Sequence, residues 1–412
     1  MLPKYLATLK LHQSHKLPWL WYFWIVTYFA FTPIDYAFSK SLIELVAGLG
    51  LIAFIVQLFR REKLQLHRGD YIAMSVIAFF MAAALIGYYQ HVDQESTRKF
   101  SRELKTLIIA MALIVTPLAQ GVDIKKALAV ALYFFVLAGS LVFLYKYYWL
   151  GIERPSVGAG AVIPTISVQV VALWLLWTLL PKGRSYSKWM LFIPLLAIAT
   201  WAIILSETRG AWISYVGLVL LLLFHAVTDL KRCLLGLSLI FAFAAAAYMV
   251  PTINHRVDLA ASEVKQFVQT EENNMTESSV GLRLLMWKKG LEALRVDPIK
   301  ARGYKPLNTY LTIDESSYLY GYNSEHLHNE LLQQWLQKGI WGLLAIILLL
   351  LLPLLAAPIS PTMLVLSIGT AMVGLTDVIL FQNYPLIFFL VFLAIWLKQV
   401  KRETNNRQIS PS

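Results

Sequence analysis

Uncharged apolar runs constrain this chain more than any other feature. Ala131–Leu144, Gly217–Phe224 and Leu343–Leu355 carry no charged side chain. A helical crossing of a bilayer needs about 20 mostly apolar residues. The chain is 58% hydrophobic, above the roughly 45–50% of soluble domains. An open sheet in lipid would leave its edge groups unbonded, so the fold class is an all-α polytopic membrane protein. Cys233 is the single cysteine, which excludes an intrachain disulfide and a Cys-rich metal site. The net charge of +12 sits largely in short connections, where basic residues set orientation. No nucleic-acid partner is expected.

About twelve spans are expected by the length rule: Leu17–Ile34, Leu42–Phe59, Tyr71–Gln90, Leu104–Ala119, Ala127–Trp149, Val162–Leu180, Trp189–Ser206, Ala211–Val227, Leu234–Val250, Gly339–Ala357, Thr362–Phe381 and Pro385–Leu397. Ala37-Phe38-Ser39 faintly resembles a signal-peptidase site, but a second span follows at once, so the first is read as retained. With the N-terminus inside, the inner connections hold about 18 Lys and Arg and the short outer ones about 8. Both termini are therefore expected in the cytoplasm. The organisation follows: residues 1–250 hold spans one to nine, 251–338 form one large, partly helical outer loop, 339–398 hold the last three spans, and 399–412 form a polar tail expected to lack structure.

Basic residues on the outer side break the charge rule and need a reason. Arg98, Arg102 and Lys105 share a helical face; they read as an anion clamp or as a solvated helix end paired with Asp93, Glu95 and Glu103. Arg209 stands in the tight turn Ser206-Glu207-Thr208-Arg209-Gly210, where a guanidinium and a helix N-terminus both attract anions; the alternative is a snorkelling or Glu207-paired arginine. In the loop, Ser279–Arg295 reads as an amphipathic helix ended by Asp297-Pro298. Arg283, Trp287 and Gly290 lie on one face of it. His326 and His328 are two apart, so a helix would point them to different sides, and no metal site is expected. Histidine suits proton transfer near neutral pH. Asp377 is an acid inside an apolar span and needs a partner, a histidine or arginine of the outer face.

Together these pieces resemble the O-antigen ligases of Gram-negative bacteria. The resemblance rests on Glu207-Thr208-Arg209, on Gly281-Leu282-Arg283 with Trp287 and Gly290, and on His326-Leu327-His328-Asn329-Glu330 followed by Gly339 and Gly342. Gly374-Leu375-Thr376-Asp377 and, less specifically, Arg154-Pro155-Ser156-Val157-Gly158-Ala159-Gly160 complete it. It implies transfer of polysaccharide from an undecaprenyl pyrophosphate donor to a sugar hydroxyl of a lipid A-core acceptor. The reaction takes place at the periplasmic face of the inner membrane, among membrane lipids, with neither cofactor, nucleotide nor metal. By the same resemblance Arg209, Arg283 and His328 are the essential residues.

The chemistry of the residues agrees. Guanidinium groups can hold a pyrophosphate through paired hydrogen bonds. His328 is the candidate base for the acceptor hydroxyl, with single displacement and inversion. Arg98, Arg102 and Lys105 are expected to assist at the pyrophosphate, and Asn329, His326, Asp377 and Trp287 to support the site. Three other functions compete: an O-antigen polymerase, a protein O-oligosaccharyltransferase, and a lipid-linked sugar transporter. One outer loop, a short tail and charges gathered at one face favour the ligase. Donor and acceptor sugars, polymer length and a homo-oligomeric state are left open.

Overall fold

The computed structural model describes residues 17–59, 66–116, 122–153, 162–180, 186–226, 251–269, 279–304, 326–378, 380 and 383–409, with scattered positions from 234 to 249. Among these, every regular element is a helix: α1 (Leu17–Phe31), α2 (Tyr36–Phe59), α3 (Arg68–Tyr89), α4 (Gln94–Val115), α5 (Ile124–Tyr148), α6 (Val162–Leu179), α7 (Tyr186–Leu205), α8 (Arg209–Ala226), α9 (Pro251–Gln269), α10 (Ser279–Val296), α11 (Glu330–Ala356), α12 (Pro361–Gly374) and α13 (Asn383–Ile409). Five helices contain stretches long and apolar enough to cross a membrane, and five shorter apolar helices accompany them. That is the character of a polytopic membrane protein. The ninth expected span and the Arg154–Gly160 stretch fall largely or wholly outside the described residues.

A helix apolar on all sides must be enclosed, and α13 is the enclosed one. Every residue from Tyr384 to Leu397 is buried, against α4, α5 and α6. Phe388 meets Phe29 and Phe135 edge-on or tilted, with centroids 5.4 and 5.2 Å away. The helix continues to Ile409, where the polar tail was expected to be unstructured. Tertiary contacts supply what composition lacks: Lys125 pairs with Glu403 at 2.7 Å, and Arg402 donates to the Val122 carbonyl.

Several expected spans have other bounds: α4 begins at Gln94 rather than Leu104 and α2 at Tyr36 rather than Leu42, and two further cases bear on the site. The apolar run begins at Gly339, yet α11 begins at Glu330, because Gln333, Gln334, Gln337 and Lys338 are polar but fully buried. At Gly339 the backbone takes φ +66°, and a Cβ there would stand 2.1 Å from the Ile299 carbonyl oxygen. The break frees carbonyls that the polar loop takes up: Arg302 N–H donates to Leu336 and Gly303 N–H to Gln337, at 3.2 and 2.9 Å. The eleventh span was expected to reach Phe381. The helix α12, with a π-helical stretch at Val365–Gly369, ends at Gly374 instead, and a turn follows that holds Asp377.

Helix direction defines two ends. α3 and α11 run antiparallel, with Gly87 against Lys338 at one end and Gly69 against Ala356 at the other. α2 and α4 start at the end where α11 starts, since Lys105 pairs with Glu44 and Glu103 with Lys338. The helices α9 and α10 sit at this end. They carry a small second core of Leu285, Met286 and Leu294 with Leu327 and Leu336.

Candidate active site

Among the described residues two non-glycines take positive φ, Glu207 and His328, both at +51°. Such backbone costs on the order of 1–3 kcal/mol and collects at functional sites. Both border one locus at the α11 end of the bundle.

His328 is held from both sides. On one side, Asn329 caps α11 by accepting from Leu332 N–H at 3.1 Å, and its amide donates to the Leu375 carbonyl at 3.2 Å. On the other, the Leu327 carbonyl accepts from the Trp287 indole at 2.7 Å, while Leu327 N–H donates to Gln333 at 2.8 Å. Gly290 lets the Leu327 side chain lie against α10; a Cβ there would come within 3.3 Å of it. Trp287 and Gly290 thus serve the histidine through its neighbour.

The His328 Nδ1 lies 3.0 Å from Asp377 Oδ1, and the acid is almost wholly buried, at 2% exposure. An ionised carboxylate only accepts, so Nδ1 carries the proton and Nε2 keeps its lone pair. The same oxygen accepts from Val378 N–H at 2.8 Å. Burial pushes the Asp377 carboxyl up, but the His328 hydrogen bond and charge, the Val378 amide and His326 outweigh it and leave the group below its ordinary value. The turn carrying Asp377 is itself fastened to α11. The buried Glu330 accepts from Leu380 N–H and from Gln334 at 2.8 and 2.7 Å. Glu330 closes the histidine motif in the sequence, but its role needed the contact with a residue fifty positions away.

The turn before α8 closes on this acid. A Cβ at Gly210 would lie 2.3 Å from Thr376 Oγ1, so the backbone of Arg209 is within a few residues of Asp377. The Arg209 side chain lies outside the description. Arg283 is half-buried on α10, one turn before Trp287.

Two expectations change. Spacing in a helix would part His326 and His328. Their segment is not helical, and with His328 left-handed the rings meet at 4.4 Å. His326, His328 and Asp377 each offer an atom within 4.8 Å of the others, a set that could hold a metal ion. A metal on the Asp377 oxygen would compete with the two hydrogen bonds it already accepts, from His328 Nδ1 and Val378 N–H. Second, Arg98, Arg102 and Lys105 do not join the locus. Lys105 pairs with Glu44 of α2, Arg98 and Arg102 are exposed, and the expected acidic partners are engaged elsewhere. Asp93 caps α4, Glu95 pairs with Lys99, and Glu103 is buried against Lys338 and Tyr304.

Residues 194–347 match the family model described as O-Antigen ligase. The match contains Arg209, Arg283, Trp287 and His328; Asp377 falls outside it. A Haemophilus influenzae protein described as uncharacterized is 24% identical over 325 residues, which cover 75% of this chain and 77% of that one.

Proposed function

We propose that this chain is an O-antigen ligase that moves a polysaccharide from undecaprenyl pyrophosphate to a sugar hydroxyl of lipid A-core. The reading places twelve spans in the inner membrane, both termini in the cytoplasm, and the His328 end of the bundle in the periplasm. The observation that supports it most is the His328–Asp377 pair, which leaves Nε2 of a rigidly held imidazole able to accept a proton.

In this mechanism the acceptor hydroxyl attacks the sugar C1 and passes its proton to His328 Nε2. Asp377 stabilises the imidazolium that forms. The C1–O bond to the pyrophosphate breaks, and Arg209 and Arg283 take up the charge on the leaving group. A single displacement inverts C1. His326 and Asn329 fix the histidine, and no cofactor enters. A polymerase would use the same donor with a second lipid-linked chain as acceptor. Deleting the gene separates the two. Loss of a ligase leaves long polymer on the lipid carrier and an uncapped core. Single repeats capping the core would refute the ligase reading.

A further inference from the structure

Apart from the catalytic locus, the outer ends of α2 and α4 enclose a groove of about 360 Å³. Glu44, Gly48 and Leu51 on α2 and Ser101, Lys105 and Ile108 on α4 line it, each set at helical spacing and so on one stripe. Nothing stands within 4 Å of where a Gly48 Cβ would be, and Leu51 and Ile108 are exposed apolar side chains. Arg98 and Arg102 continue the α4 stripe toward the helix start. Both are exposed, and among the described residues neither guanidinium has a partner. The nearby carboxylates are neutralised: Glu44 by Lys105 at 2.9 Å and Glu95 by Lys99 at 2.8 Å. A greasy furrow below two unpaired arginines fits a lipid with a phosphate at its head.

Which lipid follows from distance. Lys338, the α11 residue that meets α4, lies about 13 Å along the helix from Asn329 at 1.5 Å per residue. Glu103 of α4 meets Lys338 of α11 directly, and the groove residues Ser101 and Lys105 lie on the opposite face of α4; helix axes are about 8–10 Å apart. The rim is therefore on the order of 15–20 Å from His328. A donor's pyrophosphate is bonded to the reacting carbon and cannot sit there. An acceptor's lipid phosphate can, because several sugars separate it from the hydroxyl that reacts.

We propose that the α2–α4 groove docks the phosphorylated lipid anchor of the acceptor glycolipid, with hydrocarbon along Gly48, Leu51 and Ile108 and phosphate on Arg98 and Arg102. This rests on the ligase reading. It gives the basic cluster a task other than the donor pyrophosphate.

The test uses full-length protein in nanodiscs with lipid-linked donor and two acceptors, intact lipid A-core and the same glycolipid stripped of its lipid phosphates. The double variant Arg98→Gln/Arg102→Gln should raise KM for the intact acceptor about 10-fold or more, an effect that added acceptor overcomes, with donor KM unmoved. The stripped acceptor should already be poor with wild type and lose little more in the variant. Gly48→Leu should raise acceptor KM with every charge in place. A rise in donor KM instead, or equal use of both acceptors by wild type, overturns the proposal. Acceptor binding without donor is measured alongside. Equal binding by wild type and double variant sinks the docking site, whereas good binding with no transfer by wild type sinks only the ligase reading.

Discussion

Replacing Asp377 by Asn tests the catalytic pair with little change of shape. Val378 N–H and His328 Nδ1 share one Asp377 oxygen, so an asparagine carbonyl in that place keeps both hydrogen bonds and the turn keeps its tie. The charge is lost, and with it the stabilisation of the imidazolium that forms when His328 takes the hydroxyl proton. At 3.0 Å and an effective dielectric of about 20, a carboxylate and an imidazolium attract by roughly 5 kcal/mol. Desolvation offsets much of this, and a charged hydrogen bond nets about 1.5–3 kcal/mol. At about 1.4 kcal/mol per tenfold the charge alone accounts for roughly 10- to 150-fold in rate. Accordingly, kcat should fall by about that factor, with donor KM near wild type. The assay is purified enzyme, lipid-linked donor and uncapped lipopolysaccharide, read as polymer-bearing product on a gel. The variant carrying both Asp377→Asn and His328→Ala should be no slower than His328→Ala alone, because residues that act as a unit are not additive. If Asp377→Asn keeps half its activity, or if the two losses multiply, the acid does not act through the histidine.

Three further outcomes are expected. His328→Ala should lose about 10²–10⁴-fold while donor binding survives, and His326→Ala should keep a substantial fraction of activity. Equal losses would make the pair one unit, and inhibition by a chelator would revive the metal reading of the His326–His328–Asp377 cluster. Arg209→Lys and Arg283→Lys keep charge but lose the planar fork; both should be severely impaired at normal membrane levels, and full activity would reduce the two arginines to structural charges. The depressed Asp377 carboxyl predicts a pH window. A group with a lowered folded pKa stabilises above its unfolded value of about 3.9 and stops doing so as pH falls through the folded one. The gap in melting temperature between wild type and Asp377→Asn should therefore hold from pH 7 down to about 4 and close below it; closure between pH 6 and 5 would contradict the assignment.

The sequence alone determined the fold class, because uncharged runs such as Leu343–Leu355 admit only helices in lipid. It also marked Asp377 as an acid in need of a partner, since an ionisable group inside an apolar run is costly. What it could not determine was partnership. Hydropathy began the helix after the loop at Gly339, although Glu330–Lys338 is helical and buried, because burial of a polar side chain depends on neighbours remote in sequence. Spacing put His326 and His328 apart, because it assumed a helix where the backbone is left-handed. Charge groups the three cations on α4 with the pyrophosphate site, but packing pairs Lys105 with Glu44 of α2 and leaves Arg98 and Arg102 exposed. Local pattern is written in the order of residues. Which faces meet is decided only when the helices pack, through contacts such as Glu103 with Lys338 and His328 with Asp377.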